Sequence, residues 1–346
     1  MILLTGANGH LGANLLRRLL ADGAAVRVLL RPDSDNSSVD GLNVERVFGD
    51  LRDPASLVAA ITGVASIYHC AAQLSTASGS ERQIFANNVL GTRNLLRAAL
   101  QNGVGRVVVS SSLSAVGRRA DGPTDESEPF NPFERHWPYA VSKAAVEHEC
   151  LKAVADGLDV VIAISCAILG PHDFKPSRMG QVLINYANGR LWAYIPGGFE
   201  FVAARDIVEG HILSMHKGRA GQRYIFNTEF MTLDAIFDLY RDITGRPKPF
   251  RLPSAVMMAA AEIGELVHRY VLPGRPQLLT PAAVRLLRMG RRAESGKAQR
   301  ELGYRPTSIA DAVREAYQWF VARGAIVAPG RPAQQRLGVT TDVGVQ

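Results

Sequence analysis

Tyr139 and Lys143 stand four residues apart, and a run of serines, Ser110-Ser111-Ser112, lies upstream of them. Four residues is about one helical turn, so both side chains share a helix face. A phenol of pKa roughly 10 is a poor base near neutrality. An ammonium close by favours the phenolate and draws that pKa down. Such a tyrosine can give a proton to a carbonyl oxygen or take one from an alcohol. Ser112 would hydrogen-bond the same oxygen and fix its angle. Redox chemistry at a carbon–oxygen bond also needs a hydride carrier.

The start of the chain predicts a place for one. Met1 to Leu4 reads as a strand, Ala13 to Asp22 as an amphipathic helix with Leu15, Leu16, Leu19 and Leu20 on one face, and Thr5-Gly6-Ala7-Asn8-Gly9-His10-Leu11-Gly12 joins them. Gly6 permits the tight bend, Gly9 lets the backbone approach a pyrophosphate, and Gly12 lets the helix pack near the strand. The helix N-terminus offers N–H groups and a positive dipole end to phosphates. Thr5, Asn8, His10 and Leu11 are candidate contacts in the same turn.

Further strands follow at Ala25–Leu30, Val44–Phe48, Ala65–His69, Arg106–Val109 and Val160–Ser165. At the end of the second, an acid would read an adenosine ribose. Arg31 stands there instead, and its planar fork suits a 2′-phosphate. NADP(H) is therefore expected over NAD(H), with Asp33 weighing the other way. Asp50 is placed to accept from an adenine amino group, with Leu51 beside it. Ala71 and Ala72 are small enough for a cofactor to lie against. Asn88 falls in a long helix, Gln83–Leu100, and Ser110, Cys166 and Ile168 complete the candidate cofactor contacts. Gly6, Arg31, Asp50, Ala71 and Ser112 all fall at carboxyl ends of strands, where ligands of open parallel sheets bind.

The alternation predicts an α/β fold, a Rossmann-type doubly wound parallel sheet with a smaller C-terminal substrate-binding lobe. Residues 1–170, with 199–228 returning to them, form the NADP-binding core. Residues 171–198 and 229–324 form the lobe, with Leu252–Val267 as a helix burying one face, and 325–346 a mobile tail. Candidate substrate contacts are Gln73, Ser114, Trp137, His172, Phe174 and Met179. The loop Asp121–Pro138, with Phe130, Phe133 and His136, is a candidate wall of the cleft.

The chain has 346 residues and a net charge of +7. The basic excess gathers late, at Arg285, Arg288, Arg291, Arg292, Lys297, Arg300 and Arg305, without interleaved aromatics, and reads as a solvated helix face rather than a nucleic-acid site. Whether it meets an anionic substrate group stays open. Cys70, Cys150 and Cys166 show no metal-ligand spacing and predict reduced thiols in a cytoplasmic protein. No uncharged apolar run is long enough to span a membrane, and no basic leader precedes the first strand.

Taken together, Thr5-Gly6-x-x-Gly9-x-x-Gly12, Asp50, Asn88-Val89-x-Gly91-Thr92, Ser112 and Tyr139-x-x-x-Lys143 resemble an extended short-chain dehydrogenase/reductase. Within that class the chain is similar to the NAD-dependent epimerase/dehydratase group, above all its dihydroflavonol-4-reductase and 3β-hydroxysteroid dehydrogenase branch. The resemblance covers about residues 1–324. It implies a Rossmann core with a small lobe, a homodimer, Ser112, Tyr139 and Lys143 as the catalytic triad, and a small carbonyl or alcohol substrate. Asn88 is similar to the family's helix asparagine, and Leu30-Arg31 to the NADPH-using reductases. Sugar-nucleotide dehydratases carry Thr-Asp-Glu where this chain has Ser112-Leu113-Ser114, so dehydration is not expected. Ala167 replaces the asparagine of sugar-nucleotide epimerases, and Ser165-Cys166 the Asn-Pro or Arg-Pro of the reductases. The reading is an NADPH-dependent ketone or aldehyde reductase. Epimerisation of a sugar nucleotide on a tightly held cofactor is the alternative, and a non-catalytic NADP sensor a second, against which stand both Tyr139 and Lys143.

Overall fold

A computed structural model of the chain describes residues 1–74, 81–119, 121–130, 137–270 and 281–327. Strand and helix alternate through β1 (Ile2–Thr5), α1 (His10–Ala21), β2 (Val26–Leu30), β3 (Glu45–Phe48), α2 (Pro54–Ile61), β4 (Ser66–His69), α3 (Glu81–Phe85), α4 (Gly91–Gln101), β5 (Arg106–Ser112), α5 (Pro138–Ala155) and β6 (Val160–Ser165). Then come β7 (Ala167–Leu169), α6 (Arg178–Ala187), β8 (Ala193–Tyr194), β9 (Gly198–Ala203), α7 (Ala204–Lys217), β10 (Arg223–Phe226), β11 (Glu229–Thr232), α8 (Leu233–Thr244), β12 (Phe250–Arg251), α9 (Ser254–Tyr270), α10 (Pro281–Met289), α11 (Gly296–Leu302) and α12 (Ile309–Ala322).

Among the described residues, seven strands make one parallel sheet in the order β10-β6-β5-β4-β1-β2-β3. The order reverses between β1 and β4, which opens a crevice beyond their carboxyl ends. The fold is the Rossmann-type doubly wound sheet the alternation predicts. Helices α2, α4 and α5 cover one face, and α1, α7 and α11 the other. Strands buried on both faces must be apolar throughout, as Leu3-Leu4 and Val107-Val108 are.

A second core gathers Phe201, Phe237, Tyr240 and Phe320 from β9, α8 and α12, roofed by α6. It sits on a small sheet of β11, β9 and β7. The two stretches expected to return to the main sheet part company here. Arg223–Phe226 joins it as β10, whereas β9 pairs with β7 and β11 instead.

Other expectations shift in detail. Helix α1 starts at His10 because extended Gly9 is its N-cap. The helix expected over Gln83–Leu100 runs from Glu81 to Gln101 and is broken by a π-helical turn, Ala86–Leu90. Helix α9 turns one face inward: among its described side chains Met257, Met258 and Ala261 pack toward Ile195 and Val284, while Val256 and Ile263 are 53% and 62% exposed. Ala325 and Ile326, expected in the tail, dock on the second core, where the Asn188 side chain brackets Ala325 O and Val327 N–H. The rest of the tail, Phe133 and His136 lie outside the described residues. No helix among the described residues is long and apolar enough to cross a membrane.

Candidate active site

The turn after β1 is built around two close approaches. Gly6 adopts φ +76°, and a Cβ there would come within 2.6 Å of Ala71 N. A Cβ on Gly12 would lie 2.1 Å from Gly6 O, so only glycine lets α1 pack onto the turn. Gly9 meets nothing closer than Gly6 O at 3.4 Å and lines the cleft. No side chain caps α1, and no acid sits in its first turn. Its N–H groups and dipole are thus free to meet an anion. Tight backbone, open Gly9 and an uncapped helix end fit a dinucleotide pyrophosphate.

The crevice is an open cleft of about 440 Å³, lined near the turn by Thr5, Gly6, Asn8 and Gly9, and along β4 by Ala71, Ala72 and Gln73. Its far end holds Arg31, Asp50 and Leu51, together with Leu29 and Gly49. Arg31 is exposed, while Arg52 engages Asp50 in a bidentate pair that holds the carboxyl below its usual range. Lys175, from the segment that enters the lobe, also lines this cleft. Sequence reading missed it, because nothing local ties residue 175 to the end of β2. Gln83 and Asn87 were missed likewise.

The serines at the end of β5 face three residues of α5, Tyr139, Lys143 and Glu147, spaced one helical turn apart. Lys143 Nζ donates to Ser110 O at 2.8 Å, Ser111 Oγ donates to Glu147, and Ser112 faces the Tyr139 phenol. Glu147 is fully buried and pairs with Arg223 Nε at 2.9 Å. Ser114 donates to Ser112 Oγ from both its hydroxyl, at 2.9 Å, and its N–H, at 3.3 Å. The Ser112 proton is therefore left for Tyr139 or for a substrate oxygen.

The electrostatics differ from the expected pattern. Burial pushes the Tyr139 phenol up to about 12, with Ser112 acting the other way. Lys143 directs its Nζ at Ser110 O. Burial lowers Lys143 itself to about 8.

A directed relay joins the glycine turn to the π-helical turn. Thr92 Oγ1 donates to Asn88 O, so His69 Nε2–H donates to Thr92 at 2.9 Å. Nδ1 then accepts from Thr5 Oγ1 at 2.7 Å, and Thr5 in turn accepts from Ala71 N–H. This fixes a neutral ring, and burial lowers His69 to about 3. Asn88 Oδ1 accepts from Gln73 N–H, and its Nδ2 donates to Gln73 O and Ser142 Oγ. The π-helical turn thus pins the loop after β4 to α5; such turns recur at functional sites.

The candidate substrate contacts divide. Gln73, Ser114 and Trp137 gather near Tyr139, with the Trp137 and Tyr139 rings 5.8 Å apart and Trp137 Nε1 buried without a partner among the described residues. His172 and Phe174 turn elsewhere: they cluster with Trp319, and Phe174 lies between the Arg17 and Arg323 guanidiniums at 4.9 and 4.6 Å. Met179 packs against the second core. Several candidate cofactor contacts are also spent inside the protein. His10 binds Pro171 O, Leu11 is buried, Ser110 Oγ binds His211, and Cys166 and Ile168 pack on the core.

Comparison with known proteins agrees with this architecture. Residues 2–227 match the model of the NAD dependent epimerase/dehydratase family. "Sterol demethylase protein B" of Methylococcus capsulatus is 42% identical over 94% of this chain and 99% of its own. A ketoreductase of Stigmatella aurantiaca, named for 4-hydroxy-2-methyl-3-oxo-4-farnesyl-3,4-dihydroquinoline-1-oxide, is 29% identical over 87% of this chain and 90% of its own. The crystal structure of gox2253 superposes with a TM-score of 0.82 at 34% identity, covering 94% of this chain and 99% of that one. With the glycine turn, the cleft and the matched residues in agreement, the chain belongs to the NAD-dependent epimerase/dehydratase family of extended short-chain dehydrogenases/reductases.

Proposed function

We propose that the protein is an NADP(H)-dependent oxidoreductase that interconverts a ketone or aldehyde with the matching alcohol. The juxtaposition of the Tyr139 phenol and Ser112, set at the end of β5 beside the dinucleotide cleft, carries this reading. Thr5, Gly6, Asn8, Gly9, Asp50, Leu51, Ala71 and Ala72 would hold the dinucleotide, with Lys143 at its nicotinamide ribose. When bound, a nicotinamide supplies or accepts a hydride at the reacting carbon.

The chain's own residues handle the oxygen. Ser112, with Ser114 donating to it, directs its proton at the substrate oxygen and orients the carbonyl. Tyr139, held protonated near neutrality by a pKa of about 12, is an acid first. It gives its proton to that oxygen as negative charge builds there. In the reverse direction the same phenol must lose its proton first, at a higher cost in this buried position. Two cations, Arg31 and Lys175, face the cleft, and Arg52 occupies the neighbouring acid, Asp50. That balance supports a 2′-phosphate. The homodimer implied by the resemblance and the cytoplasmic location read from the cysteines belong to the same proposal.

The test is NADPH consumption against a panel of apolar ketones and aldehydes, with NADH in parallel. Purified protein that keeps its nucleotide and consumes NADPH with no carbonyl would contradict the reductase and favour epimerisation.

A further inference from the structure

Glu147 has no exposed surface, and it sits on the face of α5 turned to β5. The chemistry of Tyr139, Ser112 and Lys143 makes no use of it. It lies one helical turn beyond Lys143, as Lys143 lies one turn beyond Tyr139, so the three share a helix face.

Burying a charge is costly unless partners replace its water. Glu147 has partners on two elements besides its own. Ser111 Oγ, from β5, donates to Oε1. Arg223, from the edge strand β10, brings Nε to 2.9 Å from Oε2. That approach is off the hydrogen-bond axis, so attraction between charges holds the pair. A guanidinium only donates, so it offers no seat to an acid proton on Oε2. Both partners thus select the ionised carboxylate.

Arg223 is itself anchored. Its Nη1 donates to Glu128 O at 3.2 Å and Glu126 O at 3.4 Å. Its guanidinium lies 4.8 Å over the Phe130 ring, which packs 4.2 Å from the ring of His148 on α5. Lys297 of α11 donates to Arg223 O at 2.9 Å. The pair therefore joins β5, α5, β10 and the loop after β5 at one buried point.

Lys143 lacks water as well, being 4% exposed, and its ammonium meets the carbonyl of Ser110. The titratable groups that face it are His69 and Cys70 at the end of β4, His211 on α7, and Glu147 and Cys150 on its own helix. Burial keeps both histidines neutral and both thiols protonated near neutral pH. Among the described residues, that leaves Glu147 as the anion facing the ammonium. Burial draws Lys143 down, and Glu147 acts the other way.

We infer that Glu147 is a positioning residue: held ionised by Arg223 and Ser111, it is the buried countercharge that keeps Lys143 an ammonium beside Tyr139. Its use in catalysis rests on the oxidoreductase reading, whereas the charge pairing itself does not.

The experiment follows the Cε resonance of Lys143 against pH in the full chain carrying ¹³C-labelled lysine, the signal being assigned by its loss in Lys143→Arg. In Glu147→Gln the midpoint should fall by about one pH unit or more, because an opposite charge is lost. Glu147→Asp keeps the charge and should titrate close to wild type. Glu147→Gln strands the Arg223 guanidinium, so a second variant adds Arg223→Met; apolar replacement of both members of a buried pair is well tolerated, and the same fall is expected. The alkaline limb of kcat for carbonyl reduction should move with the midpoint, a shift that lost packing does not produce. A midpoint unmoved in both variants overturns the inference. So does a fall in Glu147→Gln that the double variant abolishes, or an equal fall in Glu147→Asp. Protein that binds NADPH yet reduces no carbonyl contradicts the oxidoreductase reading instead, and the resonance then still reports on the pairing.

Discussion

Asn88 Nδ2 donates to Ser142 Oγ at 3.0 Å, which ties the π-helical turn to the helix that carries Tyr139. The same side chain holds both backbone groups of Gln73, at 2.7 and 3.0 Å. Asn88 is therefore a positioning residue for two walls of the site. Replacing it with Ala strands the partners of three hydrogen bonds, and should cost about 2 kcal/mol or more in urea denaturation, with kcat falling further than KM changes. Unaltered stability in Asn88→Ala would show that the clamp contributes nothing.

Tyr139→Phe keeps the ring and removes the proton. Carbonyl reduction should fall by about 100-fold or more, while the NADPH affinity, read by fluorescence, stays close to wild type. A variant that still turns over would eliminate the phenol as the acid.

Arg31→Ala and Lys175→Ala test the far end of the cleft. Each should weaken NADPH binding about tenfold, and NADH binding much less, since a lost fork or ammonium matters only where a 2′-phosphate sits. The loss should shrink at high salt. Equal losses on both nucleotides would remove the preference for NADP(H).

Two buried histidines make stability depend on acid. Burial lowers His69 to about 3 and His211 to about 4. An unfolded histidine takes up its proton near pH 6.5, whereas these folded ones do not, so the unfolded state binds more protons below that value. Stability should fall as pH drops from about 6.5 toward 4, each group contributing about 2 kcal/mol by pH 5. Denaturant curves at pH 7 and pH 5 should show a smaller drop for His211→Gln than for wild type. The same drop in both proteins would mean that His211 titrates normally in the fold.

Much of this was legible in the chain itself. Gly6-x-x-Gly9-x-x-Gly12, the alternation of apolar strands with amphipathic helices, and Tyr139 one turn from Lys143 are local patterns. They depend on turn sterics, side-chain period and helix geometry, which need no distant partner. They place Arg31, Asp50, Ala71 and Ser112 at strand ends, which is enough to locate a cleft. Tertiary structure decided the rest. It gave each of Ser110, Ser111 and Ser112 a different partner on α5, and carried Lys175 to the end of β2. It turned His172 and Phe174 toward Trp319, and brought Arg223 to Glu147. It also set the balance at Tyr139, where burial outweighs any cation. Such pairings join residues far apart in sequence, and desolvation depends on everything packed around a group, so no short pattern in the chain encodes them.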